Sequence, residues 1–201
     1  MSSSPTPVSP APDSTDSMRR ARSVRQARTV QRLTEAAVDE LRAGGYDNLT
    51  VRNVARRAGV APATAYTYFA SKEHLVTEIF WRRLEALSET SFDHRRSPAT
   101  RVTAALSDLA LLVADEPQLA AACSVAMLAG DPDVKLLRDR IGAEMRRRLV
   151  VALGDADPPV LSALELAFAG ALVRAGTGHL SYAELPDLLA KVAALVVGGR
   201  R

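Results

Sequence analysis

The 201-residue sequence is poor in aromatic residues and contains a single cysteine. Aromatics make up only 4% of the chain against 47% apolar residues in all, so a core must be built mainly from Ala, Leu and Val. This composition favours an all-α fold, because strand-like alternation is scarce. The lone cysteine, Cys123, excludes an internal disulfide and fits a reducing compartment. Its Ala-rich surroundings predict a small buried hydrophobe, with a redox-sensing thiol as the alternative.

The sequence also lacks the usual signals of membrane proteins, secreted proteins and enzymes. No apolar run reaches the roughly 18 residues that a membrane span requires, and the N-terminus has no apolar signal segment. We therefore expect a cytoplasmic protein with no membrane partner. A phosphate-binding glycine loop, a nucleophile elbow and a zinc-type cluster are all absent, so we predict no catalytic residue, no metal site and no cofactor.

The net charge of +3 is unevenly distributed along the chain. Residues 18–83 contain 13 basic and 6 acidic residues, whereas residues 84–201 contain 13 basic and 15 acidic ones. A positive N-terminal part suits the binding of phosphate groups. The alternative is that these basic residues only form solvated helix faces.

Three regions are expected along the chain. Residues 1–18 are rich in Ser, Pro and Thr and predict a disordered tail. Residues 19–71 form the basic region, which opens with an arginine-rich stretch, either an arm for DNA or the solvated start of a helix. A first helix is predicted over Val24–Ala43, because Gly44 and the glycine after it are typical of a helix end. Residues 72–201 predict a larger helical region.

The basic region contains the outline of a helix-turn-helix, in which a second helix enters the DNA major groove. Thr50 predicts the N-cap of a helix over Val51–Ala58. Gly59 predicts the turn, and Pro62 suits the first position of the next helix. The segment as a whole therefore predicts DNA binding.

The larger region predicts a series of helices. Ser71 is the predicted N-cap of a long helix over Lys72–Thr90 that connects the two regions. Later helices are expected to start at prolines, two of which follow a capping aspartate: Pro98, Pro117, Pro132, Pro158. The last two helices, predicted over Pro159–Thr177 and Tyr182–Val197, are apolar on more than one face and must be covered on more than one face.

The segments GYDNLTVRNVA (45–55) and GVAPATAYTYFASKEHL (59–75) closely resemble the helix-turn-helix signature of the tetracycline-repressor (TetR) family. The resemblance is detailed over residues 26–79 and only architectural beyond them. It implies an all-α fold with an N-terminal three-helix DNA-binding domain and a C-terminal bundle for effector binding and dimerisation. One departure is Ala61, since many relatives have Ser or Thr there. The helix that follows therefore lacks a side-chain cap.

Residue type and the resemblance together assign contacts to double-stranded DNA. Arg52 is placed to donate to guanine or phosphate, and Thr50 to phosphate. Small apolar groups and threonine methyls suit thymine methyls, whereas Tyr66, Tyr68 and Lys72 suit phosphates. The predicted DNA-binding residues are Thr50, Arg52, Pro62, Ala63, Thr64, Tyr66, Thr67, Tyr68 and Lys72.

The size of the C-terminal region favours a pocket for a small-molecule effector, as the resemblance implies, and the few aromatics and isolated charges suggest a mainly apolar one. Each predicted wall residue could instead be plain core: Trp81, Phe92, Leu111, Met127, Leu128, Phe168, Leu172. The last two helices predict the interface of a two-fold homodimer, with burial inside one monomer as the alternative. The predicted interface residues are Leu164, Phe168, Leu172, Leu185, Leu188, Val192 and Leu195.

These expectations combine into a homodimeric repressor that binds a palindromic operator and is released by its effector. A DNA-binding regulator without an effector, or an architectural DNA-binding dimer, is the alternative. The second motif helix has no Arg, Asn or Gln for bidentate base contacts, so we expect sequence preference to rest on Arg52, on methyl contacts and on DNA shape.

Overall fold

The computed structural model of the protein describes residues 14–88 and 92–199, with side chains from Ser23 onward. The described residues form helices and no strands, so the predicted all-α fold is confirmed. The helices are α1 (Ser14–Asn48), α2 (Val51–Arg57), α3 (Pro62–Tyr66), α4 (Lys72–Ala86), α5 (Pro98–Leu111), α6 (Pro117–Ala126), α7 (Pro132–Leu153), α8 (Pro158–Gly176) and α9 (Leu185–Gly198).

Helix α1 begins at Ser14, earlier than the predicted start at Val24. No proline or glycine occurs from Ser14 to Ala43, so nothing in that stretch interrupts helix propagation. Five residues assigned to the predicted tail therefore belong to α1, and residues 1–13 lie outside the described part. The helix breaks where predicted, because Gly45 has a φ of 69°, and a further turn continues to Asn48.

The first four helices pack around one apolar core. Leu33 and Leu41 of α1 are fully buried, as are Val54 of α2 and Ala65 of α3. Leu75 of α4 is buried in the same way and belongs to the same cluster. Since this cluster continues into the later helices, the motif helices rest on a scaffold shared with the rest of the chain.

Helix α4 ends at Ala86 and not at the predicted Thr90. Leu87 leaves the helical conformation with a ψ of 116°, and Nη2 of the buried Arg148 of α7 donates to its carbonyl at 2.9 Å. Arg148 Nε pairs with Glu144 at 2.7 Å. An α7 side chain thus satisfies a carbonyl that the end of α4 leaves open. Residues 89–91 lie outside the described part.

The remaining helices form a bundle in which α5 packs on α7 and α9, α8 packs on α9, and α6 contacts α1, α4 and α8. The predicted starts at the four prolines are confirmed, as are the caps by Asp131 and Asp157. The last helix differs from its predicted start, because a 3-10 turn over Tyr182–Glu184 precedes α9. Buried Arg101 closes the end of α7 by donating to the carbonyls of Ala152 (2.8 Å) and Leu153 (3.2 Å).

Candidate DNA-binding surface and cavity

The helix-turn-helix is fixed by its own caps and by a contact from α1. Thr50 Oγ1 accepts from the Asn53 amide at 3.0 Å, as predicted for the start of α2. Gly59 turns the chain with a φ of 61°, a conformation that L-residues with a side chain rarely adopt. Arg32 donates to the carbonyls of Ala58 and Gly59. The turn between α2 and α3 is therefore held to α1 by a side chain.

Helix α3 presents one face outward and buries the other. Ala65 and Phe69 are buried, so they attach the helix to the core. Tyr66 is 51% exposed, an unusual position for a large aromatic ring that could have packed inside. The remaining residues on the outward side are exposed as well: Pro62, Ala63, Thr64, Thr67. Ala61 makes no side-chain cap, as predicted.

The cationic side chains near the motif differ in how they are held. Arg52 and Arg56 of α2 are exposed, and no ion pair in the described part of the chain involves them. Arg57, by contrast, pairs with Glu40 at 2.6 Å. Lys72 is half-buried, with Nζ 3.0 Å from the Tyr46 carbonyl. That bond uses one of the three N–H groups of the Lys72 ammonium.

The start of α4 is joined to the ring of Tyr46 as well as to its backbone. Lys72 Nζ lies 4.2 Å from the ring centroid, within the range of a cation–π contact. The Tyr46 hydroxyl donates to Glu73 at 2.9 Å. Burial, and then this bond to a carboxylate, raise the pKa of the Tyr46 phenol. Tyr68 is half-buried against the core, and so is more constrained than Tyr66.

A second group of contacts joins the start of α4 to the start of α7. The Ser71 hydroxyl caps α4 by accepting from the His74 amide at 3.0 Å, and it donates to Asp131 at 2.8 Å. That bond is the first cause of the lowered pKa of the Asp131 carboxyl. His74 is half-buried, with Nδ1 3.6 Å from Asp133. The N-cap residues of α4 and α7, Ser71 and Asp131, are therefore hydrogen-bonded to each other.

A cavity of about 260 Å³ lies between α6, α7 and α8, with Phe80 of α4 in its wall. The wall is almost entirely apolar. Its lining residues are Phe80, Val113, Ala120, Cys123, Ser124, Met127, Leu128, Arg138, Ile141, Gly142, Met145, Phe168, Ala169, Leu172, Val173 and Tyr182. Cys123 is buried as predicted, and burial raises the pKa of its thiol to about 12. A thiol held so strongly in its neutral form is a poor redox sensor.

Four of the seven predicted wall residues line this cavity: Met127, Leu128, Phe168, Leu172. The other three do not. The Arg140 guanidinium stacks over the Trp81 ring, with its Cζ atom 4.4 Å from the ring centroid. Phe92 packs against the core outside the cavity, and Leu111 at the end of α5 is 52% exposed. Sequence reasoning missed Phe80, the neighbour of Trp81, because helix rotation decides which of two adjacent side chains faces a cavity.

Polar groups occur at two points of the wall. The Ser124 hydroxyl donates to the Ala120 carbonyl at 3.1 Å, and the Tyr182 hydroxyl lies 3.2 Å from Ser124 Oγ. Arg138 Nη1 donates to the carbonyls of Met127 (2.6 Å) and Ala129 (3.3 Å), just beyond the end of α6. No sequence signal marks Arg138, since its partners depend on how α6 and α7 meet.

Three predicted interface residues are buried within the single chain and cannot form an interface surface. Leu164, Phe168 and Leu185 are each at most 1% exposed, because α8 and α9 pack these faces against the bundle. Three more are half-buried: Leu172, Leu188, Val192. Leu195 is the exposed exception at 76%. Two α8 residues that sequence reasoning missed, Leu166 (74%) and Val173 (47%), are exposed as well, and Val173 also lines the cavity.

Helix α8 also has the length and apolar composition of a membrane span, with a mean hydropathy of 1.3 over its best window. It is the only such helix in residues 14–88 and 92–199. Its contacts with α6, α7 and α9 place one face inside the bundle. The same described ranges hold no group of three or more His, Cys, Asp or Glu residues arranged for a metal ion.

Known proteins share this architecture. A family model described as "Bacterial regulatory proteins, tetR family" matches residues 33–79. An uncharacterized HTH-type transcriptional regulator of Mycobacterium tuberculosis is 48% identical, over 89% of this chain and 85% of its own. The HTH-type transcriptional repressor KstR of Rhodococcus jostii is 31% identical, over 64% of this chain and 61% of its own.

A solved structure supports the same fold. The transcriptional regulator FadR of Bacillus subtilis, in complex with stearoyl-CoA, aligns with a TM-score of 0.60 at 18% identity, over 85% of this chain and 99% of its own. Fold, motif and relatives together define a helix-turn-helix transcriptional regulator and not an enzyme. The chain belongs to the TetR family of bacterial regulators, which confirms the resemblance drawn from residues 26–79.

Proposed function

We propose that the protein is a cytoplasmic homodimeric repressor that binds an inverted-repeat operator and leaves it when a small, mainly apolar effector enters the cavity. The observation that carries this proposal is the position of α4. Its first turn lies beside the exposed motif, and Phe80 in its second half lines the cavity. One helix therefore contacts both candidate sites. KstR, named a repressor, and FadR, solved with stearoyl-CoA, support this type of regulation.

The outward face of α3 is the part that we propose enters the major groove. Its exposed Pro62, Ala63, Thr64 and Thr67 offer small apolar and methyl groups to thymine methyls. This face has no side chain suited to bidentate base contacts. Sequence preference therefore rests on Arg52, on methyl contacts and on DNA shape.

Backbone contacts would position the protein on the duplex. The exposed ring of Tyr66 carries a hydroxyl that can donate to a phosphate, and Thr50 lies at the start of α2, where free amides point outward. Tyr68 and Lys72 contribute from the edge of the motif, where one of the three Lys72 N–H groups is bonded to the Tyr46 carbonyl.

The dimer is proposed to form through the outward faces of α8 and α9. Leu166, Val173 and Leu195 expose apolar surface there, although each belongs to a helix whose opposite face is buried. Gly170 lies between the first two on α8, and a Cβ at that position would meet no atom within 4 Å, so another helix has room to approach. A two-fold pairing would cover this surface and place two α3 helices about one DNA turn apart, roughly 34 Å or a multiple.

Release would follow from a difference in effector affinity between two arrangements of the dimer. A ligand between α6, α7 and α8 contacts Phe80 directly. It also borders the turn that leads to Asp131, whose carboxylate accepts from the α4 cap Ser71. Both routes end on α4, so a shift of the cavity wall alters the positions of the two motifs.

The test of this proposal is to fill the cavity by mutation. Gly142 lines the cavity, and a Cβ there would meet no atom within 4 Å. Gly142→Leu should therefore keep operator binding but lower the affinity for apolar compounds that stabilise the wild type in a thermal-shift screen. Gly198 of α9 also has open space around a Cβ but does not line this cavity, so Gly198→Leu is the control. If apolar compounds bind Gly142→Leu as well as they bind the control, the cavity is not the effector site.

A further inference from the structure

We propose that the effector is an amphipathic anion whose acidic end binds Arg138 while its apolar body fills the cavity. This inference rests on the proposed function, because it assigns a ligand class to the same cavity. The acidic end can be a free carboxylate or the phosphates of a coenzyme A thioester. Both present anionic oxygens, which suit a guanidinium.

Arg138 is the only charged side chain among the described residues that line the cavity. No Asp or Glu lines the wall, and within the described ranges no ion pair joins Arg138 to a carboxylate. Its two hydrogen bonds both use Nη1 and both go to backbone carbonyls. A guanidinium has five N–H groups, and those on Nε and Nη2 make no hydrogen bond within the described ranges.

Neighbouring arginines on α7 are held differently. Arg146 makes two 2.9 Å contacts with Glu165, and both Arg147 and Arg148 pair with Glu144 at 2.7 Å. Arg140 stacks on an aromatic ring. Arg138 is half-buried, and the groups that accept its hydrogen bonds are neutral backbone carbonyls. Its positive charge is therefore only partly compensated. A ligand anion would supply the missing negative charge.

The rest of the wall suits an apolar chain. Ile141 and Met145 continue from Arg138 along α7, and Phe168 and Leu172 of α8 line the same space. The hydroxyls of Ser124 and Tyr182 are already bonded to each other. The volume of about 260 Å³ is slightly smaller than typical small-molecule sites, which span about 300–1,000 Å³. These features favour a medium-length chain with its charge at one end.

The position of Arg138 also couples anion binding to the helix-turn-helix through a series of hydrogen bonds. Its acceptors, the carbonyls of Met127 and Ala129, lie in the turn between α6 and α7. Asp131 follows in that turn and accepts from Ser71 at the start of α4. An anion that draws the guanidinium toward the cavity acts on this turn, and through it on the helix cap beside the motif.

The experiment compares three ten-carbon probes: decanoate, decanol and decanoyl-CoA. Each is titrated by calorimetry into the full-length wild type, Arg138→Gln and Arg140→Gln. The control removes the same charge from the same helix, at a residue outside the cavity. We expect decanoate or decanoyl-CoA to bind the wild type about tenfold or more tightly than decanol. Arg138→Gln should lose this preference and Arg140→Gln should keep it.

The two acidic probes identify the source of the charge. Preference for decanoate over decanoyl-CoA assigns a free acid, and the reverse assigns the thioester. Arg138→Lys keeps a positive charge and should retain part of the preference, while thermal unfolding of each variant establishes that it is folded. If neither acidic probe binds more tightly than decanol, if no probe binds, or if the preference is undiminished in Arg138→Gln, the inference is overturned. Operator affinity of the same samples without probe tests the proposed function separately.

Discussion

Some residues of the helix-turn-helix are buried and stabilise its fold, whereas others are exposed and can contact DNA. Phe69 and Ala65 are buried, whereas Tyr66 between them in sequence is half exposed. Removing the Tyr66 ring should therefore leave the free energy of unfolding nearly unchanged, within about 0.5 kcal/mol. Operator affinity of Tyr66→Ala should fall, because a phosphate contact is lost. Fluorescence anisotropy with labelled duplex, alongside thermal unfolding, measures both quantities. Unchanged affinity would remove Tyr66 from the proposed surface.

Arg52 is expected to act on sequence preference and not only on affinity. Its side chain is exposed on α2 and free of ion pairs in the described part of the chain. Arg52→Ala should weaken operator binding by about 1–3 kcal/mol and relax the preference at one base pair in each half-site. Arg140→Ala is the control, since it removes the same charge from α7. An equal loss on operator and on random duplex would assign Arg52 to phosphate instead.

At the scale of elements, α8 offers the sharpest contrast, because two leucines two positions apart have opposite surroundings. Leu164 is fully buried and Leu166 is 74% exposed. Leu164→Ala should lower the free energy of unfolding by about 2–5 kcal/mol, as large-to-small changes in a core do. Leu166→Glu should leave the monomer folded but place a charge in the proposed interface. Chemical denaturation and analytical ultracentrifugation distinguish the two effects.

The outcome for Leu166→Glu also decides the dimer proposal. A dimeric wild type with a monomeric, folded variant supports pairing through α8 and α9. A variant that remains dimeric at the same protein concentration would place the interface elsewhere. Because the two motifs act together on an inverted repeat, the monomeric variant should also lose operator affinity.

Helix α7 contains a position that should tolerate a better helix former. Gly142 lies in its interior, and a Cβ there meets no other atom within 4 Å. Gly142→Ala should raise the free energy of unfolding by about 0.5–1 kcal/mol, because alanine loses less backbone entropy in a helix. Thermal denaturation measures the change. A lower melting temperature would mean that the added methyl group meets a neighbour in the cavity wall.

The elements that the sequence predicts best are those with local signals. Helix starts at Pro98 and Pro132 follow from proline and capping residues a few positions apart, and the structure confirms them. Leu164 and Leu166 cannot be separated in this way, since either face of an apolar helix can be core or interface. The partners of Arg101 and Arg138 are backbone carbonyls on other segments, which only the packing of the bundle brings near.

For the molecule as a whole, the central feature is that α4 joins an exposed basic motif to an apolar cavity. The unequal charge distribution indicates a strong electrostatic share in DNA binding, with 13 basic against 6 acidic residues over residues 18–83. Affinity should therefore fall steeply with salt, since each neutralised phosphate releases bound counterions. Titrations of labelled duplex at several salt concentrations measure the slope, and a slope near zero would contradict a phosphate-binding surface.

Sequence-specific binding by a dimer is tested most directly by selecting bound sequences from random duplex DNA with the full-length protein at one stated salt concentration. We expect a palindromic site whose half-sites are centred about one helical turn apart, or a multiple of it. Recovery of salt-sensitive binding without any sequence preference would contradict the sequence-specific dimer and leave an architectural DNA-binding protein.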